Sequence, residues 1–487
     1  MPATPHFDVL IIGAGLSGIG AAWHLQQRCP HHSYAILESR SAMGGTWDLF
    51  RYPGIRSDSD MYTLGYRFRP WREGKAIADG PAIKRYIEET AREHGIDRQI
   101  RFGHRVVRAE WSSAEAYWRV EAEHDGTAVH FTCGFLYTCT GYYDYAAGYT
   151  PEYPGRERFG GRFVHPQHWP ADLDYAGKQV VVIGSGATAV TLVPAMATGA
   201  GAAAHVTMLQ RSPTYVAEQP SRDAIADALR RVLPEGAAYA LARWKNVLRS
   251  MFYFVLARTA PTVFARGLRQ KTHAALGADY DVSTHFTPRY KPWDERLCII
   301  PDGDLFTAIR ERRASVVTDE IASFTPTGIQ LKSGAHLDAD VIVSATGLAL
   351  KLVGGMALVV DGKPIEMSRT MAYKGLMYSG VPNLASAFGY TNASWTLKCD
   401  LIAEHVCRLL NHMKAHGYVQ CTPVRDPAVG EEPVLNFTSG YVQRALPTLP
   451  TQGTRSPWRV YQNYVLDLLA FRYGRVDNPS LEFRRRA

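Results

Sequence analysis

Phe7-Asp8-Val9-Leu10-Ile11-Ile12-Gly13-Ala14-Gly15-Leu16-Ser17-Gly18 is the stretch whose reading decides the fold. A short apolar run of strand character ends in Gly-x-Gly-x-x-Gly, and Ile19 to Gln27 then carries apolar residues at helical spacing. Strand, glycine loop and helix in that order predict a dinucleotide-binding unit. Gly13 permits the tight turn, Gly15 lets a pyrophosphate approach the backbone, and Gly18 lets helix and strand pack closely. The helix start then faces the phosphates with its partial positive charge. Because Val9 to Ile12 feeds straight into this loop, it reads as a strand and not as a signal peptide. Tyr34-Ala35-Ile36-Leu37 reads as the second strand of the unit and ends at Glu38. An acid there can hold a ribose diol and would repel a 2′-phosphate, so the unit suits FAD or NAD. Gly44 to Asp58 follows as a Gly- and Pro-containing loop, with Gly45, Thr46, Trp47 and Asp58 expected over the bound cofactor.

The pattern recurs about 170 residues later. Gln179-Val180-Val181-Val182-Ile183 runs into Gly184-Ser185-Gly186-Ala187-Thr188-Ala189. Gly184, Gly186, Thr188 and Ala189 are the candidate phosphate-facing positions. The second strand is His205 to Leu209, and the position that held glutamate in the first unit is now Gln210, followed by Arg211 and Ser212. Loss of the acid and gain of a guanidinium favour a 2′-phosphate, which points to NADPH. The fold class expected is therefore α/β, with two Rossmann-like dinucleotide-binding domains. Residues 1–150 read as the first part of the FAD-binding domain. Residues 151–220 read as a linker and the first part of the NADPH-binding domain, 221–280 as a helical insertion in it, 281–380 as its second part, and 381–487 as the C-terminal part of the FAD-binding domain. Two further runs, Phe135 to Gly141 and Asp338 to Gly347, read as strands that end in Thr-Gly and return the chain between domains. Ala78 to Phe102 reads as helical, and Val106 to Glu121 and Val129 to Leu136 as strands. Gly389 to Trp395 reads as the opening of a helix that reaches about Met413.

At 487 residues the chain suits two to three domains. With 46% hydrophobic and 21% charged residues it is globular, and it has no apolar run of spanning length. The net charge of +8 comes from scattered bases, so nucleic acid is not the expected partner, and phosphate-bearing cofactors account for part of the excess. The seven cysteines show no metal spacing, so no metal site is expected, and they suit buried thiols in a reducing cytoplasm. The insertion at about 221–275 mixes arginines with apolar residues. It reads first as a solvated amphipathic surface, with peripheral membrane contact and a border on the substrate's access route as the other readings.

Between the two units lies Phe159-Gly160-Gly161-Arg162-Phe163-Val164-His165-Pro166-Gln167-His168-Trp169-Pro170. By composition it is a linker. As Phe-x-Gly-x-x-x-His-x-x-x-Trp-Pro, fixed at Phe159, Gly161, His165, Trp169 and Pro170, it resembles the fingerprint of the type I Baeyer–Villiger monooxygenases. Gly44 to Asp58 matches a second pattern of that family, Gly-Gly-x-Trp-x-x-x-x-Tyr-Pro-Gly-x-x-x-Asp. The runs Gly44 to Tyr66, His165 to Tyr175 and Gly389 to Leu397 are similar to the ethionamide-activating branch. The resemblance implies tightly bound FAD, hydride from NADPH, and O2 activated as a C4a-peroxyflavin. Small apolar ketones would become esters or lactones, and thioethers or thioamides would be oxidised as a side activity. By the same resemblance, Arg296 stabilises the peroxy anion, Asp58 orients Arg296, and the linker around His165 couples the domains. One departure is Glu295, where many members have a lysine that grips the 2′-phosphate, so Arg211 is left as the main determinant. The nearest alternative is a flavin-containing monooxygenase acting only on nitrogen or sulfur. A disulfide reductase would need a redox cysteine pair, and a silent nucleotide-binding module would not need both Asp58 and Arg296.

Overall fold

The structure is a computed structural model, and it describes residues 4–295 and 297–486. Strand β1 (His6–Ile12), helix α1 (Leu16–Arg28) and strand β2 (Tyr34–Leu37) form the expected opening unit. Single turns α2 (Thr46–Leu49) and α3 (Met61–Leu64) lead to α4 (Gly80–Glu93). Asp79 caps α4 by accepting from the Ala82 N–H, which ends the preceding loop and sets the helix start. Helix α4 is shorter than the span read from sequence, because the chain turns after Glu93 into β3 (Ile100–Arg101). β4 (Arg105–Ser112), β5 (Tyr117–His124) and β6 (Thr127–Thr138) follow. The single strand expected over Val106 to Glu121 is thus a hairpin, turning at Ala116 with φ 60°. Trp111 and Trp118 face each other across it, both fully buried.

The second unit begins inside the apparent linker. β7 (Arg162–Val164) lies parallel to β16 (Val341–Ser344) at the edge of a five-stranded sheet. The rest of that sheet is β8 (Gln179–Ile183), β9 (His205–Gln210) and β12 (Ala314–Thr318), in the order β12-β9-β8-β16-β7. Helix α5 (Ala187–Ala197) follows β8. From β10 (Val216–Gln219) the chain enters α6 (Ala224–Val232), α7 (Glu235–Thr259), α8 (Pro261–Leu276) and the turn α9 (Val282–His285). It returns through β11 (Cys298–Pro301), which pairs with β10, and α10 (Asp304–Arg310). A small antiparallel sheet of β13 (Ile321–Thr325), β14 (Gly328–Leu331) and β15 (His336–Asp338) covers the other face.

After β16 the chain crosses back at once. β17 (Ala357–Val360) pairs with β4, and β18 (Lys363–Pro364) pairs with β17, so both belong to the first, nine-stranded sheet. The domain boundary expected near 380 therefore falls before 357. β19 (Ala372–Tyr373) and β20 (Met377–Tyr378) form a short pair, and β21 (Leu384–Ser386) joins β6 in parallel. Long helix α11 (Trp395–His416) then lies against α1. α12 (Gly440–Ala445) belongs to a separate small core beside the second unit's cavity, while α13 (Tyr464–Arg472) packs on α11. Gly417, left-handed at φ 66°, closes α11.

Although inserted in the second unit, α6 and α7 pack onto the first. Ala226, Tyr239, Ala242 and Val247 belong to the core that holds α1, α4 and α11. Arg243, buried in α7, donates to the carbonyls of Tyr62 at 2.8 Å and Gly65 at 2.7 Å. Its guanidinium lies 3.6 Å from Asp400, which also holds His24 at 3.3 Å. Both bonds leave from one nitrogen, and the Asp400 charge offsets part of the hydration that the buried guanidinium loses, so this contact ties the insertion to the first domain.

Candidate functional site

At the first glycine loop the chain is held by backbone sterics. Gly13 sits at φ 105°, and a Cβ on Gly18 would stand 1.9 Å from the Gly13 carbonyl oxygen. Helix α1 starts at Gly15 with no side-chain cap, and Gly15, Leu16 and Ser17 line a cavity, so the positive end of the helix faces it. Above Gly15 the nearest atom a Cβ would meet is Gly45 Cα, at 3.5 Å. The two glycine backbones thus approach each other closely at the cavity wall. Glu38 is buried beside it: one carboxylate oxygen accepts from the Ala14 N–H at 2.8 Å and the other from the Arg40 N–H at 2.9 Å. Burial pushes the Glu38 carboxyl up, and the two N–H bonds oppose that shift. Gly45, Thr46, Trp47 and Asp58 line the same cavity. Tyr145 also faces it, its hydroxyl 3.4 Å from Thr46 Oγ1. At the far wall Trp395 donates from Nε1 to Ser17 Oγ at 2.8 Å and stacks on Tyr142. That ties the start of α11 to the start of α1.

The second loop repeats the geometry. Gly184 has φ 128°, and a Cβ there would stand 2.4 Å from the Ala345 carbonyl. Around Gly186 nothing lies within 4 Å of such an atom, and α5 starts there without a side-chain cap. Thr188 lines this cavity, and Ala189 is buried in the helix behind it. Gln210 does not face the site. It is buried, and its amide donates to the His285 carbonyl at 2.8 Å and to Thr318 Oγ1 at 2.9 Å. Arg211 and Ser212 are exposed and line the cavity instead. The two cavities share a wall of Tyr143, Ala187, Thr188 and Leu348. Both loops therefore fit phosphate-bearing dinucleotides, in cavities that adjoin.

The loop that carries Asp58 joins the two halves. Leu49, Phe50 and Tyr52 are packed into the core of the second unit. A Cβ on Gly54 would stand 2.6 Å from the Ala195 side chain. Arg56 pairs with Asp304 at the start of α10. Arg296 lies outside the described residues, but the segment before it is clamped. Trp293, at φ 67°, sits between Phe254 of α7 and Phe264 of α8. Asp294 pairs with Arg258 at 2.7 Å, and its carbonyl accepts from Thr438 at 2.9 Å. A positive φ at a tryptophan is held only by such packing. Glu295 lines the second cavity; burial pushes its carboxyl up, and the nearby Arg211 charge opposes this.

None of the five fingerprint residues lines either cavity. Phe159 packs edge-on against Phe324. Gly161 passes so close to β16 that a Cβ would stand 2.3 Å from the Asp340 carbonyl. His165 accepts from the Gln167 N–H at Nδ1, and its Nε2 faces the Gly347 carbonyl at 3.4 Å. Burial holds its imidazole below the usual value, so it is a neutral tie between the linker and the second crossing strand. Trp169 packs beside Tyr175 on the second core, and the Pro170 carbonyl accepts from the Leu173 N–H. Side chains not singled out from sequence include Arg56, Tyr142 and Tyr145. The Tyr-Tyr-x-Tyr run directly after a Thr-Gly strand end was the available signal for the last two. In the second cavity they include Tyr149 and Arg444, whose guanidinium lies 3.5 Å from the Tyr149 ring centre. All seven cysteines are buried and free. Among the described residues no cluster is placed to hold a metal.

Comparison with known proteins gives the same arrangement. A flavin-binding monooxygenase-like family model matches residues 78–352, and an NAD(P)-binding Rossmann-like domain model matches residues 11–74. The chain is 55% identical over 484 residues to the FAD-containing monooxygenase EthA of Mycobacterium tuberculosis, covering 99% of both chains. It is 48% identical to the probable FAD-binding monooxygenase AlmA of Acinetobacter baylyi, covering 99% of this chain and 97% of that one. An oxidised steroid monooxygenase bound to NADP superposes with a TM-score of 0.76 at 22% identity, covering 99% of this chain and all of that one. Cyclohexanone monooxygenase with bound ε-caprolactone superposes with a TM-score of 0.76 at 19% identity.

Proposed function

The chain belongs to the flavin-binding monooxygenase-like family, among the FAD-containing monooxygenases of the EthA type, and on that premise we propose that it is a Baeyer–Villiger monooxygenase. It would turn small apolar ketones into esters or lactones, with oxidation of sulfur in thioethers or thioamides as a side activity. The observation that carries this is the shared wall between two uncapped glycine-loop cavities. Such a wall would let a hydride donor held in the second cavity reach an acceptor held in the first. FAD would sit on Gly13, Gly15, Gly18 and Glu38 under the Gly45-Thr46-Trp47 loop, and NADPH on Gly184, Gly186, Thr188 and Arg211. When bound, the flavin supplies the redox chemistry, taking hydride from NADPH and activating O2 as the oxygen donor. The protein's part is electrostatic and steric. Arg296 would bring a fixed positive charge to the oxygen being transferred and to the ketone oxygen as charge develops there. Asp58 would hold that guanidinium in place. The aromatic wall of Tyr142, Tyr143 and Trp395 would limit the access of water, which otherwise diverts the reaction to hydrogen peroxide. Incubation with 2-octanone or phenylacetone, NADPH and air should give an ester by chromatography. Sulfoxide from a thioether with no ester from any ketone would favour the enzyme that acts only on nitrogen or sulfur.

Peripheral docking on an anionic bilayer is part of the same proposal. Leu241, Trp244, Leu248, Phe252 and Val255 are each 42–62% exposed. Their steps of three and four residues put them on one stripe of α7, opposite the buried Tyr239, Arg243 and Asn246. The outward face of this helix is thus apolar, where a solvated amphipathic helix would be polar. Arg249, Arg258, Arg266, Arg269 and Lys271 are exposed along α7 and α8, and Glu235 is the one acid in residues 235–276. An apolar stripe flanked by bases suits an anionic lipid surface, whereas a second copy would oppose like charges. No described helix is long and apolar enough to cross a membrane. Co-sedimentation with phosphatidylglycerol vesicles, lost in Phe252→Asp, is the expected result. A concentration-dependent dimer abolished by that substitution, with no vesicle binding, would replace the bilayer by a second copy.

A further inference from the structure

The adenosine end of the second cavity carries a cation that no motif marks. Backbone bonds fix its position. β12 runs beside β9 with Thr318 opposite Gln210, and the Asp319 N–H donates to the Gln210 carbonyl at 3.0 Å. One residue on, the Lys332 N–H donates to the Glu320 carbonyl at 2.9 Å. The turn between β14 and β15 is therefore stitched to the tip of β9, where Arg211 begins. Arg211, Ser212, Asp319, Glu320 and Lys332 line this end of the cavity together. Lys332 Nζ pairs with a Glu320 oxygen at 2.6 Å, and both side chains are more than half exposed, at 61% and 52%. Glu320 is held below the usual carboxyl value, first by its hydrogen bond from Lys332 and then by the charge on that lysine.

The charge balance is what makes this pair informative. A 2′-phosphate brings close to two negative charges, which one guanidinium does not neutralise. Arg211 also has the Glu295 carboxylate nearby, which takes up part of its charge. Two other described cations line this cavity: Arg444, which is stacked over Tyr149, and Lys332, whose turn is stitched to the tip of β9 beside Arg211. We propose that Lys332 is the second cation for the 2′-phosphate, and that Glu320 is its displaceable counter-ion. The ammonium would exchange a carboxylate oxygen for a phosphate oxygen while Arg211 takes the opposite side. An exposed ion pair is a weak interaction, so the exchange is easy, and a dianion outcompetes a carboxylate for the same cation. Without a 2′-phosphate the pair stays closed, and the lysine adds nothing to NADH binding. This rests on the NADPH reading of the second site.

Isothermal titration of the FAD-loaded protein tests it, with NADP+, NAD+, 2′-AMP and 5′-AMP as probes. Lys332→Met should weaken NADP+ and 2′-AMP about tenfold and leave NAD+ and 5′-AMP within twofold. Glu320→Gln should tighten NADP+ by about threefold, and Lys332→Arg should keep most of the affinity. If NADP+ binds Lys332→Met as tightly as wild type while Arg211→Ala loses it, the lysine has no such role and the NADPH reading stands. Equal loss of NADP+ and NAD+ in Lys332→Met would make the residue structural. A wild type that does not distinguish NADP+ from NAD+ would sink the NADPH reading and this proposal with it.

Discussion

The two glycine-loop units share strand, loop and helix and differ in what the second strand does at its tip. In the first unit the tip residue, Glu38, is buried against the glycine loop and accepts the Ala14 N–H of the loop itself. In the second unit the same position, Gln210, turns away and bonds Thr318 and the His285 carbonyl. The side chain that lines the cavity is one place on, at Arg211. A loop motif thus sets where phosphates lie, while the neighbours of the second strand decide which residue meets the ribose. The third position differs too. Gly18 has the Gly13 carbonyl 1.9 Å from where a Cβ would be, whereas Ala189 already carries a Cβ within α5.

If oxygen insertion belongs to the first half and cofactor choice to the second, substitutions should separate the two. The largest effect is expected at Arg296. Arg296→Ala should lower ester formation at least about a hundredfold, with NADPH still consumed, peroxide released, and KM for NADPH within twofold. Asp58→Ala should give a loss of about tenfold of the same kind. Ester made by Arg296→Ala at a comparable rate would remove that residue from the mechanism. Next, Gly18→Ala should cost about 1–3 kcal/mol by overpacking and leave much of the protein without flavin, read from its absorbance near 450 nm. Ala189→Gly should cost about 1 kcal/mol or less and keep NADPH binding. Equal behaviour of the two would erase the difference between the loops. Third, Arg211→Ala should raise KM for NADPH about tenfold and leave NADH nearly unchanged. A matching rise for NADH would mean the arginine supports the fold and not the phosphate.

How much of this was legible in the sequence follows from where the signals are local. Both strand–loop–helix units were readable, because sterics at Gly13, Gly18 and Gly184 act within a few residues. The second strand came out at Tyr34–Leu37 and α11 at its first turn. What escaped depends on distant partners. The turn of the β4–β5 hairpin has no Gly or Pro, so two strands read as one. The linker hides β7, because three residues pair with β16 some 180 positions later. The return of the chain after Gly347 was readable from its Thr-Gly strand end, but the boundary was set near 380, and the pairing of β17 with β4 places β17 and β18 in the first sheet. The inward turn of Gln210 needed Thr318 and His285, and no spacing rule reaches them. Leu49, Phe50 and Tyr52 look like loop residues until the second core closes around them.

The finest test of the division uses a residue that chain order assigns to the wrong half. Arg258 lies in α7, inside the second unit's insertion, yet it pairs with Asp294 at 2.7 Å, two residues before Arg296. Its side chain is 45% exposed and that of Asp294 30%. An ion pair so exposed contributes only about 0–1 kcal/mol to stability, so Arg258→Ala should shift Tm by no more than a few degrees. The position of the 293–295 segment is another matter. Trp293 is held at φ 67° between Phe254 and Phe264, and Asp294 is also gripped through its carbonyl by Thr438. Loosening one of these ties should let the following residue drift from the transferred oxygen. A shift that small should not abolish turnover. It should raise the share of NADPH lost as peroxide, by about twofold, with KM for NADPH unchanged, because positioning errors of this kind act on the chemical step. Arg258→Lys, which keeps the charge but not the fork, should fall between the two. If Arg258→Ala instead raised KM for NADPH and left the peroxide share alone, the insertion would serve the half it is encoded in, and the division drawn between the two units would follow chain order after all.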